Sequence, residues 1–446
     1  MRVTRRELFR RAGSLAGAIL LGESMASSAR LKRPRRRRTA KVHRVPDAGP
    51  ISGAKLYEDV IAYYNLGEHR TASEVDVRTS QWLLDQLRAA GLKATFQSFA
   101  LRQFSIRQTR LSIGENLIRA FPLWFPRSTG DGPAVGDLAL LEKNAPPESL
   151  RGKIALVTFP GGGGAVQKNH AEIIFGAAKA GASAVVAVSE GPTKEIIALN
   201  CAEGAEPWPI PVVLVGSRDE PTLIATARSG PKVSLLLDGR DDSDAMAKNV
   251  IGRVDRGKDL IVISTPQSGW FRCAGERGPG IALFLGLARW ANRRPSGASF
   301  LFVSTSGHEL GGLGMRAFLK ELAPAPERVL CWIHLGAGIA TYSWEETATG
   351  LKRLREPDSK RYLMSTPGLV PLLTTTFAGL PGLTPTVDRA VGEFEFMLKA
   401  GYRTFGIAAG HRFHHTPADS PETTGAEILE PVASAMVKTI QSIEDH

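Results

Sequence analysis

Nine histidines are spread over 446 residues, and five of them, His308, His334, His411, His414 and His415, fall within the last third of the chain ahead of the terminal His446. Ser306-Gly307-His308-Glu309-Leu310-Gly311-Gly312-Leu313-Gly314 sets an imidazole beside a carboxylate and then glycines, which let a backbone approach closely. His414-His415-Thr416-Pro417-Ala418-Asp419 places two imidazoles ahead of a carboxylate. Imidazole and carboxylate converging from separate strand ends are what Zn²⁺ needs. Imidazole can also take up a proton near neutral pH. Taken singly, each stretch has a plainer reading, with His308 as a helix cap and the histidine pair as surface. Cys273 with His308 would make a nucleophile and its base, although nothing in the spacing requires it.

Such groups must be positioned by a scaffold, and from Asn249 onward strands and helices alternate. Leu260–Thr265 and Ser299–Ser304 are continuous apolar runs of the kind buried in a parallel sheet. Ile281–Ala291 reads as a helix between them, Val329–Leu335 and Thr404–Ala409 as further strands, and Ile428–Ile443 as a closing helix. This is an α/β architecture, in which ligands sit beyond the carboxyl ends of strands. His308 and Glu309 follow one such end directly. Upstream, 55–92 is helical in pattern, Gly91 closes the second helix, and Lys93–Ala100 reads as a strand. Between them, about 113–242 is β-rich and broken by Gly and Pro, with strands at Val135–Leu141, Ile154–Thr158, Ala184–Val188 and Val212–Val215 and a helix at Ala171–Ala182.

Composition excludes several classes. Hydrophobic residues make up 43% and charged residues 22%, which is ordinary for a soluble globular chain. The net charge of +12 lies wholly in residues 1–46, where fourteen Arg and Lys face only Glu7 and Glu23. The remainder is neutral, so nucleic acid is not an expected partner. Cys201, Cys273 and Cys331 are too few for a disulfide framework.

Arg5-Arg6-Glu7-Leu8-Phe9 before an uncharged stretch and small residues resembles a twin-arginine export signal over 1–29, followed by a basic linker over 30–48. That implies the twin-arginine machinery as a partner, a periplasmic or secreted location, and no stable membrane span after cleavage. The stretch Leu150 to Val157, with Ala178–Val188 and Ile210-Pro211-Val212-Val213, resembles a protease-associated domain, a β-rich insert assigned to 113–245 between two parts of a second domain, 49–112 and 246–446. The whole order, from Asn249-Val250-Ile251-Gly252 through the Gly307–Gly314 motif to His415-Thr416-Pro417-Ala418-Asp419, resembles the zinc-dependent exopeptidases of the aminopeptidase and glutamate-carboxypeptidase type. The fold this implies is a three-layer α/β sandwich around a mostly parallel mixed sheet.

The resemblance also implies a site, and here the residues depart from the family pattern. The family's first His and the Asp after it fall on Thr265 and Gln267, its bridging Asp on Glu276, and its Glu-Glu pair on His308 and Glu309. Its next Asp falls on His334, and its last His on His415. A first metal set of Thr265, Glu276 and His334 is poor, whereas Glu276, Glu309 and His415 would leave one open position on a single zinc. Two carboxylates neutralise one Zn²⁺ but not two, so one ion is expected, with His334 as an auxiliary ligand and His308 as the base. Glu393 and Glu395 lie in a substrate-side stretch without an assigned role. The expected activity is hydrolysis of a peptide or peptide-like amide; the alternative is an inactive homologue that binds such a ligand.

Overall fold

The computed structural model describes residues 49–142, 145–146, 148–159, 164–295, 297–348 and 350–445. The export signal and basic linker expected over 1–48 lie outside the described residues.

A mixed sheet forms the centre. Its order is Pro385–Thr386, Arg361–Ser365, Thr404–Ala409, Val329–Leu335, Leu260–Pro266, Ser299–Thr305, Val233–Val254, Lys93–Ile113 and Asn116–Ile118. The four strands from Thr404–Ala409 to Ser299–Thr305 run parallel. Successive side chains on a strand point to opposite faces, and here both faces are buried. Ile261, Ile263, Phe300 and Phe302 pack into one core, while Val262, Leu301 and Val303 pack into another. The first core is covered by the helices Gly53–Asn65, Glu74–Ala89, Gly278–Arg293 and Ala426–Glu444. The second is closed by the short helices Leu313–Glu321 and Phe394–Lys399, through Met315, Phe318, Phe394 and Met397. Helices on both faces of one sheet make the three-layer α/β sandwich.

Lys93–Ala100 was expected to be a short strand, but Lys93–Ile113 is one long strand paired antiparallel with Val233–Val254 along its whole length. The second half is half-exposed and held by cross-strand charge pairs, Arg107 to Asp238 at 2.6 Å and Arg102 to Asp241 at 2.5 Å. A five-stranded sheet lies within the loop of this ribbon, in the order Ala120–Pro122, Val212–Gly216, Ala184–Ser189, Ile154–Phe159 and Leu138–Leu140. Helix Lys168–Lys179 crosses between two of its parallel strands. The three cysteines are buried free thiols. No helix among the described residues is long and apolar enough to cross a membrane.

Candidate functional site

The chain leaves strand Leu260–Pro266 toward Ser299–Thr305 on one side and later enters Val329–Leu335 on the other, so a crevice opens at the shared carboxyl edge. The loop 267–277 after Leu260–Pro266 carries Ser268, Glu276 and Arg277. Ser299–Thr305 leads to His308 and Glu309, Val329–Leu335 ends with His334, and Thr404–Ala409 leads to His411, His414 and His415. The edge thus collects Glu276, His308, Glu309, His334, His411, His414 and His415, whereas Glu395 pairs with Lys399 on the helix Phe394–Lys399.

On one side of this crevice lies an ionic knot. Arg277, Glu276 and Glu309 are all buried. Arg277 Nη2 lies 2.8 Å from Glu309 Oε1 and 3.1 Å from Glu276 Oε1, and its Nε donates to the Ser268 carbonyl at 2.8 Å. Ser268 Oγ donates to the other Glu309 oxygen at 2.6 Å, and receives the backbone N–H groups of Gly307 and His308. Both Glu309 oxygens are therefore engaged. Burial opposes the charge on Arg277, but the two carboxylates outweigh it and raise its pKa further.

The other side is a cluster of imidazoles. His415 Nε2 stands 3.4 Å from Glu276 Oε1, and its Nδ1 lies 3.0 Å from the Ala198 carbonyl. With Nδ1 at the Ala198 carbonyl, Nε2 is aimed at Glu276, the orientation usual for a metal-binding imidazole. His414 stacks on His415 with ring centroids 4.0 Å apart, and Glu276, His414 and His415 each present a ligand atom within 4.8 Å of the others. Adjacent residues of an extended chain point apart. These two share a side because the chain turns at His411–His414 and His415 takes a left-handed φ of 59°. Asp419 anchors the facing loop by accepting the backbone N–H groups of Gly275 and Glu276 at 2.8 and 2.9 Å. Glu276 Oε1, His414 Nδ1 and both ring nitrogens of His411 are buried without a hydrogen bond. Burial opposes ionisation of Glu276, yet His415, Arg277 and His414 hold it well below the usual carboxylate range.

His308 and His334 form a third group. His308 Nδ1 lies 3.2 Å from Glu393 Oε1, and Thr305 Oγ1 donates to Glu393 Oε2 at 3.0 Å. His308 is partly exposed, so its ring reaches the crevice. His334 Nδ1 meets Ser264 Oγ at 3.0 Å, which also accepts from Trp332 Nε1, and burial lowers the His334 pKa to about 4. Burial, with Glu276 and Asp419 nearby, pushes the Cys273 thiol well up, which removes it as a nucleophile at neutral pH.

The inserted sheet reaches into this edge. Cys201 N donates to the Glu309 carbonyl and Ala198 N to the His415 carbonyl, both at 3.0 Å. A side chain at Gly164 would lie 3.0 Å from the His415 ring and 3.4 Å from that of His414.

The donor set decides which ions fit. Two ions do not: Thr265 Oγ1 donates to the Leu335 carbonyl and Gln267 Nε2 donates to Ser80 Oγ, so the second set lacks donors at both positions. One ion does, because the unpaired Glu276 Oε1 and the His415 Nε2 are separated by 3.4 Å, close to one edge of a tetrahedron with bonds of about 2.1 Å. The sequence brought Glu276, Glu309 and His415 forward as ligands. The fold places Glu276 beside His415, but turns Glu309 to Arg277 and Ser268. Sequence reasoning missed Arg277, although it directly follows Glu276 and is the one cation in Gly275-Glu276-Arg277-Gly278-Pro279. It also passed over His414 as a donor, and the Glu393 partnership with His308.

Residues 130–223 match the PA domain family. Over the whole chain, the structure is similar to a zinc aminopeptidase from Bacillus subtilis, with TM-score 0.69 and 18% identity, over 88% of this chain and 95% of that one. It is also similar to a peptidase M28 precursor from Shewanella amazonensis, with TM-score 0.69 and 16% identity, over 88% and 93%. An aminopeptidase from Aneurinibacillus sp. strain AM-1 aligns with TM-score 0.57 and 15% identity, over 88% and 94%. No curated protein sequence matches the chain. The chain therefore carries a PA domain within a fold shared with zinc aminopeptidases. At these identities the likeness is one of fold.

Proposed function

We propose that this chain is an exported peptidase-fold protein that holds a single zinc ion on Glu276, His415 and His414 and receives a peptide or peptide-like amide beside it. One observation carries the reading: a buried Glu276 whose Oε1 lacks a hydrogen bond lies 3.4 Å from Nε2 of an imidazole whose Nδ1 meets the Ala198 carbonyl. A buried carboxylate oxygen without a hydrogen bond is costly, and Arg277 at 3.1 Å offsets only part of that cost, so a further cation relieves it. Zinc, when bound, supplies a Lewis acid for the amide carbonyl. His308 moves the proton. Its Nδ1–H donates to Glu393, which leaves Nε2 to accept a proton from attacking water and return it to the leaving amine. His334, buried and neutral, stays outside the donor set in this reading. Export rests on the resemblance of residues 1–29 to a twin-arginine signal.

A specific observation favours a second reading, a peptide-binding protein without hydrolysis. Arg277 already neutralises part of the carboxylate charge, and an imidazole stands at the position where the similar family has its Glu base. Metal content measured by mass spectrometry, on protein matured through its own export route, tests the first reading. About one zinc per chain is expected, lost in Glu276→Gln. No zinc even after incubation with excess Zn²⁺ would sink it. Zinc retained without turnover across a panel of aminoacyl and peptidyl amides would leave the binding protein.

A further inference from the structure

Arg277 is a buried cation set between two buried carboxylates, at the carboxyl edge where such carboxylates would otherwise meet a metal ion. We infer that Arg277 is a built-in cation that claims Glu309 and thereby selects the donors: with Arg277 present the ion is held by Glu276, His415 and His414, and without it Glu309 becomes a ligand. This rests on the zinc reading above.

Three features carry it. A single nitrogen, Nη2, spans both carboxylates at 2.8 and 3.1 Å, so the guanidinium already lies where an ion shared by Glu276 and Glu309 would have to lie. Glu309 cannot turn toward His415 without breaking one charge-assisted bond to Arg277 and another to Ser268. Nor can Arg277 swing away cheaply, because its Nε is tied to the Ser268 carbonyl and Ser268 in turn holds the backbone of Gly307 and His308. Charge counting agrees. Two carboxylates bring two negative charges, and the guanidinium cancels one without ever dissociating. The single negative charge that remains half-neutralises one divalent ion, and with two ions the sum would be +3.

The test measures zinc affinity and the visible spectrum of the cobalt(II) form, which reports donor identity, in the mature chain, Glu309→Gln, Arg277→Ala and the double variant. In the parent background, Glu309→Gln is expected to leave the cobalt spectrum unchanged and to weaken zinc binding by no more than about tenfold, as an outer-shell change does. Arg277→Ala is expected to shift the spectrum; adding Glu309→Gln then reverses the shift and costs at least about 100-fold in affinity, as loss of a direct ligand would. A changed spectrum in Glu309→Gln alone would mean that Glu309 ligates beside Arg277, which overturns the inference. So would an Arg277→Ala spectrum identical to the parent. If Arg277→Ala does not fold, Glu309→Gln in the parent still decides by the same criterion. Uptake of metal by Arg277→Ala but not by the parent would refute the zinc reading while upholding Arg277 as the occupant of the cation's place. Uptake by neither would overturn both.

Discussion

Glu309 and Glu276 are both buried at the carboxyl edge of the sheet, and both face Arg277. Glu309 has each oxygen engaged, one by Arg277 and one by Ser268. Glu276 has its Oε2 near the His415 backbone N–H at 3.3 Å, but its Oε1 lacks a hydrogen bond and looks toward imidazoles. Residue type and burial are the same, so neither separates a structural carboxylate from a proposed ligand. What separates them is whether the fold has already supplied a donor. Two more buried carboxyls at this edge extend the comparison. Asp76 is pushed up to about 7, chiefly by burial, and so meets the cost of burial with a proton. Glu393 meets it with Thr305 and the partly exposed His308.

The hardest way to break this comparison is to remove the guanidinium. Arg277→Ala leaves Glu309 with a single donor and Glu276 with none of its fixed positive charge. Breaking a buried pair from one side costs about 3–5 kcal/mol. Urea denaturation of metal-free protein is expected to show that loss, and millimolar Zn²⁺ should recover much of it in the variant while moving the parent less. Equal zinc responses in the two proteins would place Arg277 outside the cation's position.

Asp76 gives the next largest effect, and the sign follows from its shift. Its folded pKa of about 7 lies above the ordinary carboxyl value, so the folded state keeps a proton that the unfolded state has already released. Stability from this group is full below about pH 4 and falls by up to about 1.4 kcal/mol per pH unit until the pH passes about 7. Asp76 accepts from Ser306 Oγ and the Ala72 N–H, which hold it at the start of its helix. Asp76→Asn should flatten that slope between about pH 4 and 7 in denaturation experiments. An unaltered slope would assign the proton to another group.

How much of this was legible in sequence depends on the range over which each feature is determined. Leu260–Pro266 and Ser299–Thr305 announce themselves because every residue in them is buried, so an apolar run is the whole signal. The helix Gly278–Arg293 and the closing helix Ala426–Glu444 bury broad apolar faces and are equally plain. The outer half of Lys93–Ile113 is not, since Arg102 and Arg107 look like loop residues until Asp241 and Asp238 face them from more than 130 residues away. At the site, the order of motifs along the chain brought Glu276, Glu309, His415 and His308 forward, and the fold sets them along one edge. That order could not show which way Glu309 turns. That is decided by Arg277 and Ser268, whose short contacts exist only once the loop 267–277 has folded back on the Gly307–Glu309 turn. The resemblance to the family pattern gave Glu309 to the ion, without weighing the adjacent arginine.

Glu393 offers the finest distinction, because in the proposed function it orients a base and does not hold an ion. Its Oε1 receives His308 at 3.2 Å, and Thr305 fixes its other oxygen, so the ring is held in one tautomer with Nε2 free. Glu393→Gln keeps the shape but can present an amide N–H to His308, which favours the opposite tautomer and removes the charge that stabilises the imidazolium. A loss of about 10- to 100-fold in kcat is expected, with KM and zinc content little changed. His308→Ala should lose more, and adding Glu393→Gln to it should cost nothing further, because the glutamate then has no base to orient. If the two losses simply multiply, Glu393 acts on the ligand directly and not through His308. If neither variant changes ligand binding and no turnover exists to lose, the imidazole side of the edge binds its metal and ligand without catalysis, and the comparison between the two glutamates stands on zinc affinity alone.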